Sequence, residues 1–150
     1  MIQMIEAHRD PFIISNDPAR LELDVILDFF TRAYWTKGRP PERTKRALEN
    51  SLVFGMYENK KQIGIARVIS DYSIFAYVCD VFIHEDYRAQ GLGKWLMETI
   101  LSHPDLQGLR RWTLVTRDAH TLYKQYGFDS LANPDGWMEI LQPFPGEGRD

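Results

Sequence analysis

The run from Tyr72 to Pro104, YSIFAYVCDVFIHEDYRAQGLGKWLMETILSHP, constrains the fold more than any other part of the chain. Its first half is rich in aromatic and β-branched residues, which suits a long buried strand. Its last part carries apolar residues at helical spacing and must stop before a proline. Between the two stand Arg88, Gly91 and Gly93. A strand that passes through a glycine turn into a helix needs a sheet on one side and a helical layer on the other. LRRWTLVT follows as the next strand, and a helix between two strands favours a right-handed parallel crossover.

The flanking segments complete a mixed α/β pattern. Phe12 to Ile14 is a short strand candidate. In NDPARLELDVILDFFTRAYW, Asp17 is placed as an N-cap with Pro18 at the first helical position, and Leu23, Ile26, Leu27 and Phe30 fall at helical spacing. RPPERTKRALENS is a shorter helix, and LVFGMYENKKQIGIARVIS is a hairpin turning at Asn59-Lys60-Lys61. After LRRWTLVT come DAHTLYKQYGF, a short helix stopped by Gly127, GWMEIL, a last strand, and QPFPGEGRD, a frayed tail. The expected sheet is antiparallel in its first half and locally parallel in its second.

Composition narrows the function classes. A chain of 150 residues, 44% hydrophobic and 13% aromatic, suits a single domain, 1–150, with a real core. Eighteen basic and 21 acidic residues are spread without a block of like charge, which argues against nucleic acid and membrane surfaces as partners. Cys79 is the only cysteine and lies in an apolar run, so an internal disulfide and a cysteine metal cluster are excluded, and Cys79 is read as a small core residue. No apolar run approaches the roughly 20 residues of a membrane span, and MIQMIEAHRDPF lacks the basic and apolar regions of a secretory leader. The expected compartment is the cytoplasm. Homodimerisation is left open.

The glycine turn fits neither familiar nucleotide loop. A dinucleotide fingerprint needs a third glycine where Leu96 stands, and a phosphate loop needs a hydroxyl where Trp95 stands. What survives is a helix N-terminus whose unpaired amides and positive dipole end, with Arg88 and Lys94, suit a phosphate or pyrophosphate.

Arg88-Ala89-Gln90-Gly91-Leu92-Gly93 resembles the Q/R-x-x-G-x-G/A signature of the GNAT superfamily of acyl-CoA-dependent N-acetyltransferases. AHTLYKQYGF, Ala119 to Phe128, is similar to that family's later A-x-x-L-Y-x-x-x-G-F helix. The similarity spans about Leu52 to Ile140, the N-terminal helices matching in arrangement only. It implies a GNAT-like mixed sheet of about six or seven strands flanked by about four helices. It implies acetyl-CoA as co-substrate, with Val81, Phe82 and Ile83 pairing to the pantetheine arm. Arg88, Ala89, Gln90, Gly91, Leu92, Gly93 and Lys94 would hold the pyrophosphate. It makes Tyr123 the general acid for the departing thiolate, and it needs no metal.

Such a reaction also needs the amine as its neutral base. Asp80, a carboxylate in an apolar strand, and His120, an imidazole near the start of the Tyr123 helix, are the two candidate bases. Strand alternation puts Asp80 with Phe82 and opposite Val81 and Ile83, while a purely structural role for either candidate stays open. By the same resemblance, Phe30, Tyr34 and Trp35 are candidates for an aromatic acceptor lining, while Arg67 and Asp71, charged residues flanking a strand candidate, are read either as polar acceptor contacts or as an exposed strand face. The acceptor is a small-molecule amine, an amino acid, a peptide or a protein amine. A noncatalytic acyl-CoA binding or sensing module on the same fold is the rival, and a nucleotide-binding regulator a weaker third.

Overall fold

A computed structural model of the chain describes residues 1–147. Six strands form one sheet in the order β1-β2-β3-β4-β5-β6, with β1 Glu6–Arg9, β2 Phe12–Ser15, β3 Leu52–Glu58, β4 Lys61–Ser70, β5 Phe75–Ile83 and β6 Arg111–Leu114. Every neighbouring pair is antiparallel except β5 and β6, which run parallel. Four helices flank it: α1 Leu23–Phe30, α2 Pro41–Glu49, α3 Leu92–Leu101 and α4 His120–Lys124. This is the mixed sheet expected from the sequence, antiparallel through β5 with one parallel pair, β5 and β6, at its end.

The sheet is covered on both faces because its strands are apolar on both. On one face Leu92, Trp95, Leu96, Met97 and Ile100 of α3 pack on Phe54, Met56, Ala66, Val68 and Val78. On the other, Ile26, Phe29 and Phe30 of α1 meet Val53, Ile65 and Phe82, with Phe29 stacked on Phe82 at 5.0 Å between ring centroids. Burying such side chains contributes roughly 1.5–3 kcal/mol each, so α1 and α3 clamp the middle of the sheet.

Two expectations need correction. GWMEIL forms no strand: a ladder needs a neighbour, β6 pairs only with β5, and Met138 and Ile140 stay 95% and 92% exposed. Asp17 and Pro18 do start a helical turn, with the Asp17 carboxylate accepting from the Ala19 amide, but it is a single 3-10 turn, Pro18–Arg20. The chain then extends through Leu21 and Glu22 before α1 begins at Leu23. The sequence also gave no sign of β1, whose polar residues carry no strand alternation.

Candidate active site

The site is built where β5 and β6 part. Their pairing ends at Val78 opposite Leu114, while β5 runs on to Ile83, leaving its last residues with an unpaired edge on the β6 side. A β-bulge sits at the same point: Ile65 faces Phe82 and Arg67 faces Cys79, so Ala66 alone opposes Asp80 and Val81. Asp80 takes a positive φ of 50° to make room for the extra residue. Its carboxylate is thereby brought to the side chain of Arg67.

That carboxylate is fully engaged. Oδ1 accepts from Trp35 Nε1 at 2.8 Å and Arg39 at 3.1 Å, and Oδ2 from Arg39 at 3.0 Å and Arg67 Nε at 2.9 Å. Burial pushes the Asp80 carboxyl up, but the hydrogen bonds and charges of Arg39 and Arg67 outweigh it and hold the group below its ordinary value. Burial pushes the neighbouring Cys79 thiol up to about 11, so it stays protonated and unreactive at neutral pH.

A groove of about 550 Å³ opens beside the free edge of β5. Val81, Phe82 and Ile83 form its floor, and Arg88, Ala89, Gly91, Leu92 and Gly93 one end. Gly91, in the left-handed region at φ 78°, caps α3, and Trp95 is the first amide to bond back to it, so the amides before Trp95 are free to face the groove. Apart from its own chain neighbours and helix backbone, a β-carbon placed on Gly91 or Gly93 meets nothing within 4 Å, so both glycines border open space that a side chain would fill. Such a cradle fits a pyrophosphate. Arg88 fastens the turn to the strand end, its Nε donating to the Ile83 carbonyl at 2.9 Å. Gln90 and Lys94 are exposed and do not line the groove.

Tyr123 of α4 forms the opposite wall together with Tyr34 and Trp35. Burial raises the Tyr123 hydroxyl above its ordinary value, which keeps it protonated as a donor. The loop after β6 reaches across to Tyr34: the Arg117 amide donates to the Tyr34 hydroxyl at 3.2 Å, and the guanidinium lies 3.8 Å above the ring. Arg117 and Arg39 were not singled out from the sequence; a charged loop straight after a parallel strand was the available signal for the first, and nothing local marked the second.

The remaining candidates lie apart. His120 is exposed and lines a separate hollow of about 390 Å³ between β6 and the segment after α4, which shares only Tyr123 with the groove. Phe30 is buried against the sheet and borders a cavity of about 650 Å³ next to the groove, the two sharing Arg32, Ala33 and Tyr34. Arg67 lies behind Trp35 on Asp80. Asp71 staples the β4–β5 turn, one oxygen accepting the amides of Ser73, Ile74 and Phe75, and these bonds hold its carboxyl below the ordinary value. Among the described residues no cluster of His, Cys, Asp and Glu is arranged to hold a metal, and no helix is long and apolar enough to cross a membrane.

A parting parallel strand pair, an amide-lined turn and a half-buried tyrosine in one groove define an acyl-transfer scaffold. The profile of the acetyltransferase (GNAT) domain matches residues 49–130. A Xanthomonas campestris pv. campestris protein of the GNAT family superposes with a TM-score of 0.85 at 41% identity, covering 88% of this chain and 94% of its own. The uncharacterized N-acetyltransferase ycf52 of Gracilaria tenuistipitata var. liui is 40% identical over 68% of this chain and 58% of its own, and that of Pyropia yezoensis 33% identical over 85% and 74%. A GNAT family acetyltransferase from Elizabethkingia anophelis with acetyl-CoA bound shares the fold, with a TM-score of 0.63 at 16% identity over 90% of each chain. The chain belongs to the GNAT family, and it is an acetyltransferase.

Proposed function

We propose that this chain, a single domain, transfers an acetyl group from acetyl-CoA to a primary amine by direct attack, both substrates being held together in the groove. One observation carries the reading: the free edge of β5, the glycine-lined amide turn and Tyr123 border the same groove. The co-substrate, when bound, supplies the activated thioester. The residues do the rest. The amides of Leu92 and Gly93, at the start of α3, bind phosphate oxygens with the help of the helix dipole. Val81 to Ile83 offer backbone groups to an extended amide chain, in the manner of an added strand. The Tyr123 hydroxyl gives its proton to the leaving sulfur. Holding both reactants in one groove supplies much of the rate by proximity.

For the acceptor's proton, Asp80 is a poor recipient because both oxygens already accept, and His120 lines a different hollow. The proposal therefore sends that proton to water in the open groove and gives Asp80 the task of positioning Trp35 and Arg39. Tyr34 and Trp35 form the acceptor wall. The compartment proposed is the cytoplasm, which a single protonated cysteine suits.

The test is release of free CoA thiol from acetyl-CoA with a panel of primary amines, each product checked by mass. Amine-dependent release with an N-acetyl product is expected. Tight acetyl-CoA binding without transfer to any amine on a broad panel would favour a sensor instead.

A further inference from the structure

We propose that the pocket walled by Arg39, Arg43, Arg46 and Arg67 binds the anionic group of the acceptor, a carboxylate or a phosphate monoester. The proposal rests on the amine-acetylation reading above and adds the chemical class of the acceptor.

The pocket, of about 480 Å³, is completed by Ala47, Asn50 and Phe144. Four arginines line it, and among the described residues Asp80 is the one carboxylate paired with any of them. Asp80 pairs with Arg39 and Arg67, whose side chains are 14% and 11% exposed, and its lone pairs are taken up by them and by Trp35. Arg43 and Arg46 are exposed and form no ion pair among the described residues. Arg39, Arg43 and Arg46 follow one another at four and three residues, so α2 and the residues just before it stack like charges on one face. Arg46 in the last turn is favoured by the helix dipole and, at helical spacing, by Glu42 and Glu49, but Arg43 has only Arg39, Pro40, Arg46 and Ala47 at that spacing, so its charge is repelled as it stands. An anion on this face relieves that repulsion, and guanidinium forks match carboxylate and phosphate oxygens. A concave pocket on a chain of net charge −3 suits a small anion better than a nucleic-acid backbone.

The pocket is also in the right place. Arg39 lines the neighbouring cavity that shares Tyr34 with the groove. Trp35 lines the groove itself and donates to the carboxylate that holds Arg39 and Arg67. One layer of side chains, Trp35 on Asp80, thus separates the anion pocket from the groove where Tyr123 stands. The cavity that Tyr34 and Arg39 both line passes beside that layer, and an acceptor with an amine at one end and an acid at the other lies along it.

The experiment compares the parent with the Arg43→Gln/Arg46→Gln double variant, both exposed positions, leaving the buried Asp80 network intact. In saturating CoA, which fills the α3 turn, inorganic phosphate at constant ionic strength should raise the parent's melting temperature, and the variant should lose most of that rise. Initial rates are then measured for matched acceptors: 2-aminoethyl phosphate against ethanolamine, and an amino acid against its amide. The parent should favour the acidic member of at least one pair, which tells phosphate from carboxylate. The anionic-to-neutral ratio of kcat/KM should fall about tenfold or more in the variant, the scale of losing charge-assisted hydrogen bonds. Amine acetylation with an unchanged ratio, or equal phosphate shifts in the two proteins, would overturn the proposal. Arginine-dependent phosphate binding without transfer to any amine would keep the anion pocket and remove the acetylation reading instead.

Discussion

Asp80 concentrates the energetics of the site in one carboxylate. Its folded pKa lies below its unfolded value because Arg39 and Arg67 outweigh the effect of burial. A group depressed in this way contributes stability above its unfolded pKa, near 4, and loses it as pH falls through the lower folded value. Asp80→Asn should therefore cost about 3 kcal/mol at pH 7, since two buried guanidiniums lose their counter-charge, and should flatten the dependence of stability on pH below about 4. Urea melts of both proteins at stepped pH measure this; equal midpoints at pH 7 would remove the network from the account. Tyr123 is the second such residue. Tyr123→Phe keeps the ring that packs edge-on to Phe128 and should keep CoA affinity and melting temperature while lowering turnover about 10²-fold. Unchanged turnover would assign the proton to another donor. The sequence placed Asp80 and Phe82 together correctly, yet the partners of Asp80 were out of reach: Arg39 is 41 residues away in the chain, and the bulge depends on the register of β4.

At the scale of elements, what was legible was whatever is local. β5, the glycine turn and α3 could be read because apolar alternation, a left-handed glycine and helical spacing are written in consecutive residues, and the β3–β4 hairpin followed for the same reason. GWMEIL has the composition of a strand, but strand formation is settled by a neighbour, which composition does not encode. The Asp17-Pro18 start signal was real and its length was not, because Leu21 and Glu22 leave the helix before α1 forms. The turn can be tested by itself. Gly91→Val puts a β-branched side chain where φ is 78° and into the open space of the cradle. CoA affinity should fall at least tenfold, about 1.4 kcal/mol, with a smaller loss of folding stability, read by calorimetric titration and thermal melts. A folded Gly91→Val protein that binds CoA like the parent would place the phosphates elsewhere.

For the whole molecule, the co-substrate half of the groove was far more legible than the acceptor half. The first is made of consecutive backbone, Val81 to Ile83 and Arg88 to Gly93, whose geometry the local sequence dictates. The second is assembled from the residues between α1 and α2, from β4 and from the loop after β6, so its members meet only once the sheet has formed. Everything claimed for function depends on acetyl-CoA occupying the groove. The most direct measurement is the thermal stability of the parent against ligand concentration. At about 100 times its dissociation constant acetyl-CoA should stabilise the native state by roughly 2.7 kcal/mol, with ATP and NAD at the same concentration doing much less. Stabilisation by ATP and none by acetyl-CoA would contradict the account.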